Sequence, residues 1–221
     1  MEIQNNVLKH YLRNCYFING TAYAGKSTMC KMLAEKYDMI LCEENYNMDM
    51  ILSVATKKQQ PNINYFNTKT SWQAYVSRTP DEYEEWYNGN AREVADFEIA
   101  ELILRSAKGK VIVDTNIPCD ILKEISDYHH VAIMLSPPSL SVEQFFNRED
   151  EEKQFLLQEI AKCPDPKQAL QNFKACIARI NSPKYYDQFA GSGFFTLVRT
   201  DAQTDTRDQV LAALADHFRL S

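Results

Sequence analysis

Five short apolar runs, at residues 16–18, 39–42, 111–113, 131–135 and 194–198, constrain this chain more than any other feature. Each is continuous rather than alternating, the pattern of strands buried on both faces of a parallel sheet. Helical patterns separate them. Residues 26–37 carry Met29, Leu33 and Tyr37 four apart. Residues 81–107 are long and amphipathic, with Val94, Phe97, Ile99, Leu102 and Ile103. Asp81 is placed there to cap the start and Gly109 to stop the end. Further helices are predicted over 141–155, 166–180 and 208–218, the last with Val210, Leu211 and Leu214 on its apolar face. Strands alternating with helices predict a single α/β domain over 1–221, its parallel sheet flanked by helices on both faces. In such sheets ligands collect at the carboxyl ends of the strands, so the residues just after each apolar run carry the most weight.

The first run is followed by Gly20, Thr21, Ala22, Tyr23, Ala24, Gly25, Lys26, Ser27 and Thr28, which fits G-x-x-x-x-G-K-[ST]. Glycines let backbone N–H groups turn inward around phosphate oxygens, and the next helix offers its positive N-terminus. In this reading Lys26 reaches the β- and γ-phosphates of ATP and the Ser27 hydroxyl ligates Mg2+. The motif follows a predicted strand and opens a predicted helix, as the chemistry requires. The third run ends in Asp114, followed by Thr115 and Asn116. A carboxylate at that strand end can hold Mg2+ or orient a nucleophile, which makes Asp114 both a metal and a catalytic candidate.

The layout resembles the P-loop kinases of the nucleoside monophosphate kinase and shikimate/gluconate kinase group, on the Gly20 to Thr28 loop and Asp114. That resemblance implies a five-stranded sheet in the order 2-3-1-4-5. It also implies a helical acceptor-binding insertion, here about 43–106, and a lid region, here about 138–165. It assigns catalytic arginines to Arg148 and Arg179, with Lys153 as a further cation. In two respects the chain departs from the group. Tyr23 stands inside the loop, and residues 149–152 are acidic where a lid carries arginines. The helix bearing Arg179 is read as ending at Pro183, with a Tyr-rich turn at Tyr185 and Tyr186. The fifth run ends at Arg199, where the group has its adenine-side loop.

For the acceptor, Glu43 and Glu44 follow the second run, and Arg78 and Arg92 lie in the insertion among many aromatics. The carboxylates suit a hydroxyl, which Asp114, Glu43 or Glu44 would orient as base. The arginines suit an anion gripped bidentately. Most of the aromatics are expected to pack the insertion. His129 and His130 fall where a strand begins, away from the expected crevice, and no histidine is assigned a catalytic role.

The expected activity is an ATP- and Mg2+-dependent phosphotransferase acting on a small molecule. The alternative is a nucleotide-binding regulatory ATPase or switch without such an acceptor. A net charge of −6 argues against nucleic acid as a partner. No apolar run approaches the roughly 20 residues of a membrane span. The first residues lack the apolar core of a signal peptide, and six scattered cysteines read as reduced core residues, so a cytoplasmic monomer or homodimer is expected.

Overall fold

The computed structural model describes residues 3–143, 145, 151–200 and 204–220. Helix α1 (Asn5–Tyr11) leads into β1 (Cys15–Gly20), α2 (Lys26–Tyr37) and β2 (Ile40–Cys42). Four helices follow: α3 (Met48–Val54), α4 (Tyr65–Thr68), α5 (Trp72–Val76) and the long α6 (Pro80–Ser106). Then come β3 (Val111–Asp114), α7 (Cys119–Ile125), β4 (Val131–Leu135), α8 (Pro138–Glu143), α9 (Glu151–Ala161), α10 (Pro166–Ile180), α11 (Pro183–Ala190), β5 (Phe195–Val198) and α12 (Arg207–His217). The strands form one all-parallel sheet in the order β2-β3-β1-β4-β5.

Strand alternation sorts the core into two faces. Cys15, Phe17, Val111, Val113, Val131, Ile133 and Leu135 pack with Leu102 of α6 and Leu122 and Ile125 of α7. Tyr16, Ile18, Ile112, Ala132 and Met134 pack with Met29, Cys30 and Leu33 of α2 and Leu211 and Leu214 of α12. Helices therefore cover both faces, and continuous apolar runs are what such strands need. Five of the six cysteines are buried and all are free, with Cys15, Cys30 and Cys42 inside these two clusters. No helix among the described residues is long and apolar enough to cross a membrane.

A third cluster lies away from the sheet. Tyr75, Val76 and Tyr83 of the insertion pack on Leu156 and Ile160 of α9 and on Phe173, Cys176 and Ile177 of α10. The described part of the expected lid region, 138–165, thus shares a core with the insertion. Trp72 meets Phe155 edge-on at 5.1 Å, and Gln73 donates to Glu159.

Several expected boundaries shift for identifiable reasons. Helix α6 is capped by Thr79, not Asp81. The Thr79 hydroxyl accepts from Glu82 N, and the Glu82 carboxylate accepts from Thr79 N at 2.8 Å, a reciprocal box with Pro80 at the first helical position. The helix ends at Ser106, three residues before Gly109. The helix expected over 141–155 is replaced, among the described residues, by α8 and α9. Tyr185 and Tyr186 sit on α11 rather than in a turn. Pro183 ends α10 but also starts α11, because proline fits the first helical position. The three-residue 3-10 turn Tyr128–His130 precedes β4, at the end of the sheet opposite the strand carboxyl ends.

Candidate functional site

The loop 20–28 leaves the central strand β1 between β3 and β4 and enters α2. Its first glycine is sterically required. Gly20 has φ +133°, and a Cβ there would lie 1.9 Å from the Met134 carbonyl oxygen. Gly25, with φ +92°, turns the chain into α2. Tyr23 also adopts the left-handed region, at φ +65°. Arg199, whose own N–H donates to Leu135 O, aims Nη1 at the Tyr23 carbonyl from 3.4 Å and holds its guanidinium 5.2 Å from the ring. The Ala22 carbonyl accepts from the Ser136 hydroxyl at 2.7 Å and the Ser141 hydroxyl at 2.8 Å. In a trans peptide the N–H points opposite the C=O, so the amides of Tyr23 and Ala24 are directed away from these partners. Helix α2 has no side-chain N-cap, so its leading N–H donors lack that partner where it meets the loop.

Two polar side chains meet beneath the loop. The Ser27 hydroxyl donates to Asp114 Oδ2 at 2.6 Å, and Asp114 is 2% exposed. Lys26 Nζ donates to the Thr21 carbonyl at 3.2 Å. Among the described residues no group of three or more His, Cys, Asp or Glu side chains is arranged to hold a metal. One hydroxyl and one carboxylate nevertheless suit Mg2+, which commonly takes one or two carboxylates with phosphate and water oxygens completing the octahedron.

After Asp114 the chain makes a tightly bonded turn. Thr115 Oγ1 donates to Glu98 Oε2 of α6 at 2.8 Å and accepts from Ile117 N at 3.0 Å. Asn116 Nδ2 donates to Glu44 Oε1 at 2.8 Å. The Ile117 carbonyl accepts from Asn19 Nδ2 at 2.7 Å, and Asn19 Oδ1 accepts from Gly20 N at 2.6 Å. Burial raises the Glu98 carboxyl to about 7, helped by the negative charges of Glu44, Asp114 and Glu101 and opposed by the Thr115 hydrogen bond.

The loop and Asn116 open onto a cavity of about 1140 Å³ between the loop, the insertion and α11; Asp114 and Glu98 lie behind its wall and do not line it. All nine loop residues line it. So do Glu44, Arg92, Lys153 and Arg199. Arg92 is paired with Asp120 at 2.7 Å, and Lys153 lies 5.2 Å from the Phe145 ring centre. Other expected residues lie elsewhere. Glu43 pairs with Lys31 at 2.6 Å and does not line the cavity. Arg78 stacks 3.6 Å over the Tyr65 ring, with Trp86 at 4.9 Å, inside the aromatic packing of the insertion. Arg179 bonds Asp81 at 2.7 Å and lies 3.6 Å from Glu84, both on α6. Neither Arg78 nor Arg179 lines the cavity. Arg148 lies outside the described residues.

Sequence reasoning assigned no role to three groups of this site. Glu98 is hidden in an amphipathic helix because it shares its buried stripe with apolar residues such as Leu102. The buried positions Ala95, Glu98, Leu102 and Ser106 recur at helical spacing, and a carboxylate on that stripe is the signal. Lys69, on the cavity, donates to Phe66 O and lies 4.3 Å from the Trp72 ring centre. Tyr185 receives a hydrogen bond from Asn88 at 2.8 Å and donates to Glu84 at 2.9 Å, which latches α11 onto α6. Burial pushes its phenol up to about 12. Neither of the last two carries a motif: Lys69 is held by its neighbours Phe66 and Trp72, and Tyr185 by residues about a hundred positions away on α6.

Neither family models nor curated proteins give a match to this chain.

Proposed function

We propose that this chain is an ATP- and Mg2+-dependent phosphotransferase of the P-loop kind, acting on a small-molecule hydroxyl. The observation that carries the reading is the 2.6 Å contact between Ser27 and the buried Asp114, directly beneath a loop whose glycines hold left-handed backbone. Tyr23 and Ala24 amides directed away from the Ala22 and Tyr23 carbonyl partners suit phosphate oxygens, as does the helix terminus that follows. Ser27 and Asp114 would hold Mg2+. Bound there, the ion supplies charge neutralisation and orientation of the phosphates. Lys26 needs only to exchange the Thr21 carbonyl for a phosphate oxygen. Arg199 and Lys153 bring further positive charge to the same cavity.

On the acceptor side Glu44 is the best-placed base. It lines the cavity and is oriented by Asn116, whereas Glu43 is paired outside it. Asn88, Asn90 and Tyr87 contribute neutral hydrogen-bonding groups from α6. With Arg78 and Arg179 committed elsewhere and Arg92, on the cavity, neutralised by Asp120, this set favours a neutral hydroxyl over a bidentately held anion.

The test is transfer of labelled phosphate from ATP with Mg2+ to pooled nucleosides, nucleotides, sugars and cofactor precursors. One acceptor should be labelled, and Glu44→Gln should lower its turnover without weakening nucleotide binding. Slow ATP hydrolysis with no labelled acceptor would instead favour a regulatory ATPase.

A further inference from the structure

We infer that Glu98 is a positioning residue that ties the acceptor-side helix α6 to the first turn of the 20–28 loop through Thr115 and Asn19. It touches no expected reacting atom. Its effect travels along four hydrogen bonds, with Glu98 accepting from Thr115 Oγ1 and Thr115 Oγ1 accepting from Ile117 N. The Ile117 carbonyl then accepts from Asn19 Nδ2, and Asn19 Oδ1 accepts from Gly20 N. All four distances fall between 2.6 and 3.0 Å. Glu98, Thr115, Ile117 and Asn19 are 7%, 1%, 1% and 1% exposed, so water does not compete for these bonds.

Donor and acceptor roles leave little freedom in this chain of bonds. The Thr115 hydroxyl has one hydrogen. Because it accepts from Ile117 N, it is free to give that hydrogen to Glu98. Glu98 thereby sets the rotamer of Thr115 and the direction of the Ile117 amide. The Asn19 carboxamide is fixed in turn: its N–H must face Ile117 O, which leaves its oxygen for Gly20 N. Gly20 is the residue that cannot relax, since its Cα passes close to Met134 O. The same turn carries Asn116, which orients Glu44. A shift of α6 on filling the insertion side of the cavity would therefore be felt at Gly20, and a shift of the loop would be felt at Glu44. This coupling rests on the phosphotransferase reading for its purpose but not for its existence.

The decisive experiment is residue-resolved amide exchange on the full chain without ligand. The readouts are the Gly20 and Thr21 amides, held by Asn19 Oδ1 and Met134 O, with α12 as the distant reference. Thr115→Val and Glu98→Leu should each speed exchange at Gly20 and Thr21 by about tenfold, the effect of losing one buried hydrogen bond, and leave α12 unchanged. The double variant should be no faster than either single one, because both cut the same chain. Thr115→Ser and Glu98→Gln, which keep the hydroxyl and an acceptor oxygen, should restore wild-type exchange. If Glu98→Leu does not fold, Thr115→Val against Thr115→Ser decides alone. Unchanged exchange at Gly20, equal acceleration in α12, or additive effects would each overturn the proposal. A second arm measures MgATP affinity by calorimetry. Wild type that binds no MgATP would end the phosphotransferase reading, while the exchange at Gly20 would still decide the relay.

Discussion

The loop side of the cavity and the insertion side are built by different physics. On the loop side, backbone geometry and short buried hydrogen bonds fix each group: Gly20 against Met134 O, Ser27 on Asp114, Asn19 between Ile117 and Gly20. On the insertion side, aromatic rings pack on one another and on α10, as with Tyr83 and Phe173 at 5.7 Å, and exposed ion pairs such as Arg92 with Asp120 decorate the rim. A site of the first kind tolerates almost no change of residue type. A site of the second kind tolerates many, as long as volume and hydrophobicity are kept.

The sharpest way to probe this contrast is Gly20→Ala. A methyl group 1.9 Å from a backbone oxygen, at a φ that L-residues rarely adopt, should cost about 3 kcal/mol or more and abolish nucleotide binding. Chemical denaturation and calorimetry measure both. Next, Phe173→Ala removes a ring 1% exposed at the centre of the insertion core and should cost about 3–5 kcal/mol in the same denaturation experiment. Its loss of nucleotide affinity should be much smaller than that of Gly20→Ala. Equal losses would mean that packing of the insertion core fixes the loop as firmly as the loop's own backbone does.

Glu98 gives a prediction with a sign. Its carboxyl titrates at about 7 in the folded chain and in the ordinary carboxylate range when unfolded. The folded state therefore holds the proton more tightly, and the stability Glu98 contributes is lost as pH rises through that window, levelling off above about 7. Glu98→Gln cannot titrate. Its denaturation midpoint should gain on wild type across that pH range, and a flat difference would remove the buried-carboxylate account. The smallest effect is expected at the rim. Arg92→Ala breaks an ion pair whose side chains are 57% and 61% exposed, and should change stability by less than about 1 kcal/mol.

The same contrast explains how far the sequence could be read. The five strands, the loop and the Asp114 strand end were readable because each follows from local residue types: continuous apolar runs, glycines at fixed spacing, an acid closing a β-branched run. The order of the strands across the sheet is not local, and it came only as what the family resemblance implies. Thr79 was missed as a cap because the capping box is set by Glu82 three residues on, while Pro80 drew the start one residue later. The arginines were harder still. Arg78 and Arg179 are chemically suited to anions, but Tyr65 and Trp86 claim one and Asp81 and Glu84 the other. Those partners lie up to about a hundred residues away, and nothing in the local sequence ranks them above a ligand. Glu98 is the converse case, a charged residue buried because Thr115, brought beside it by the sheet, can bond it.

The central claim is that the 20–28 loop with Ser27 and Asp114 binds MgATP. Equilibrium titration of MgATP into wild type and Lys26→Ala tests it most directly. Saturable one-site binding by wild type, weakened at least about a hundredfold in Lys26→Ala while its thermal midpoint is unchanged, is the predicted result. Equal affinity in the two proteins, or no binding by wild type, would contradict it.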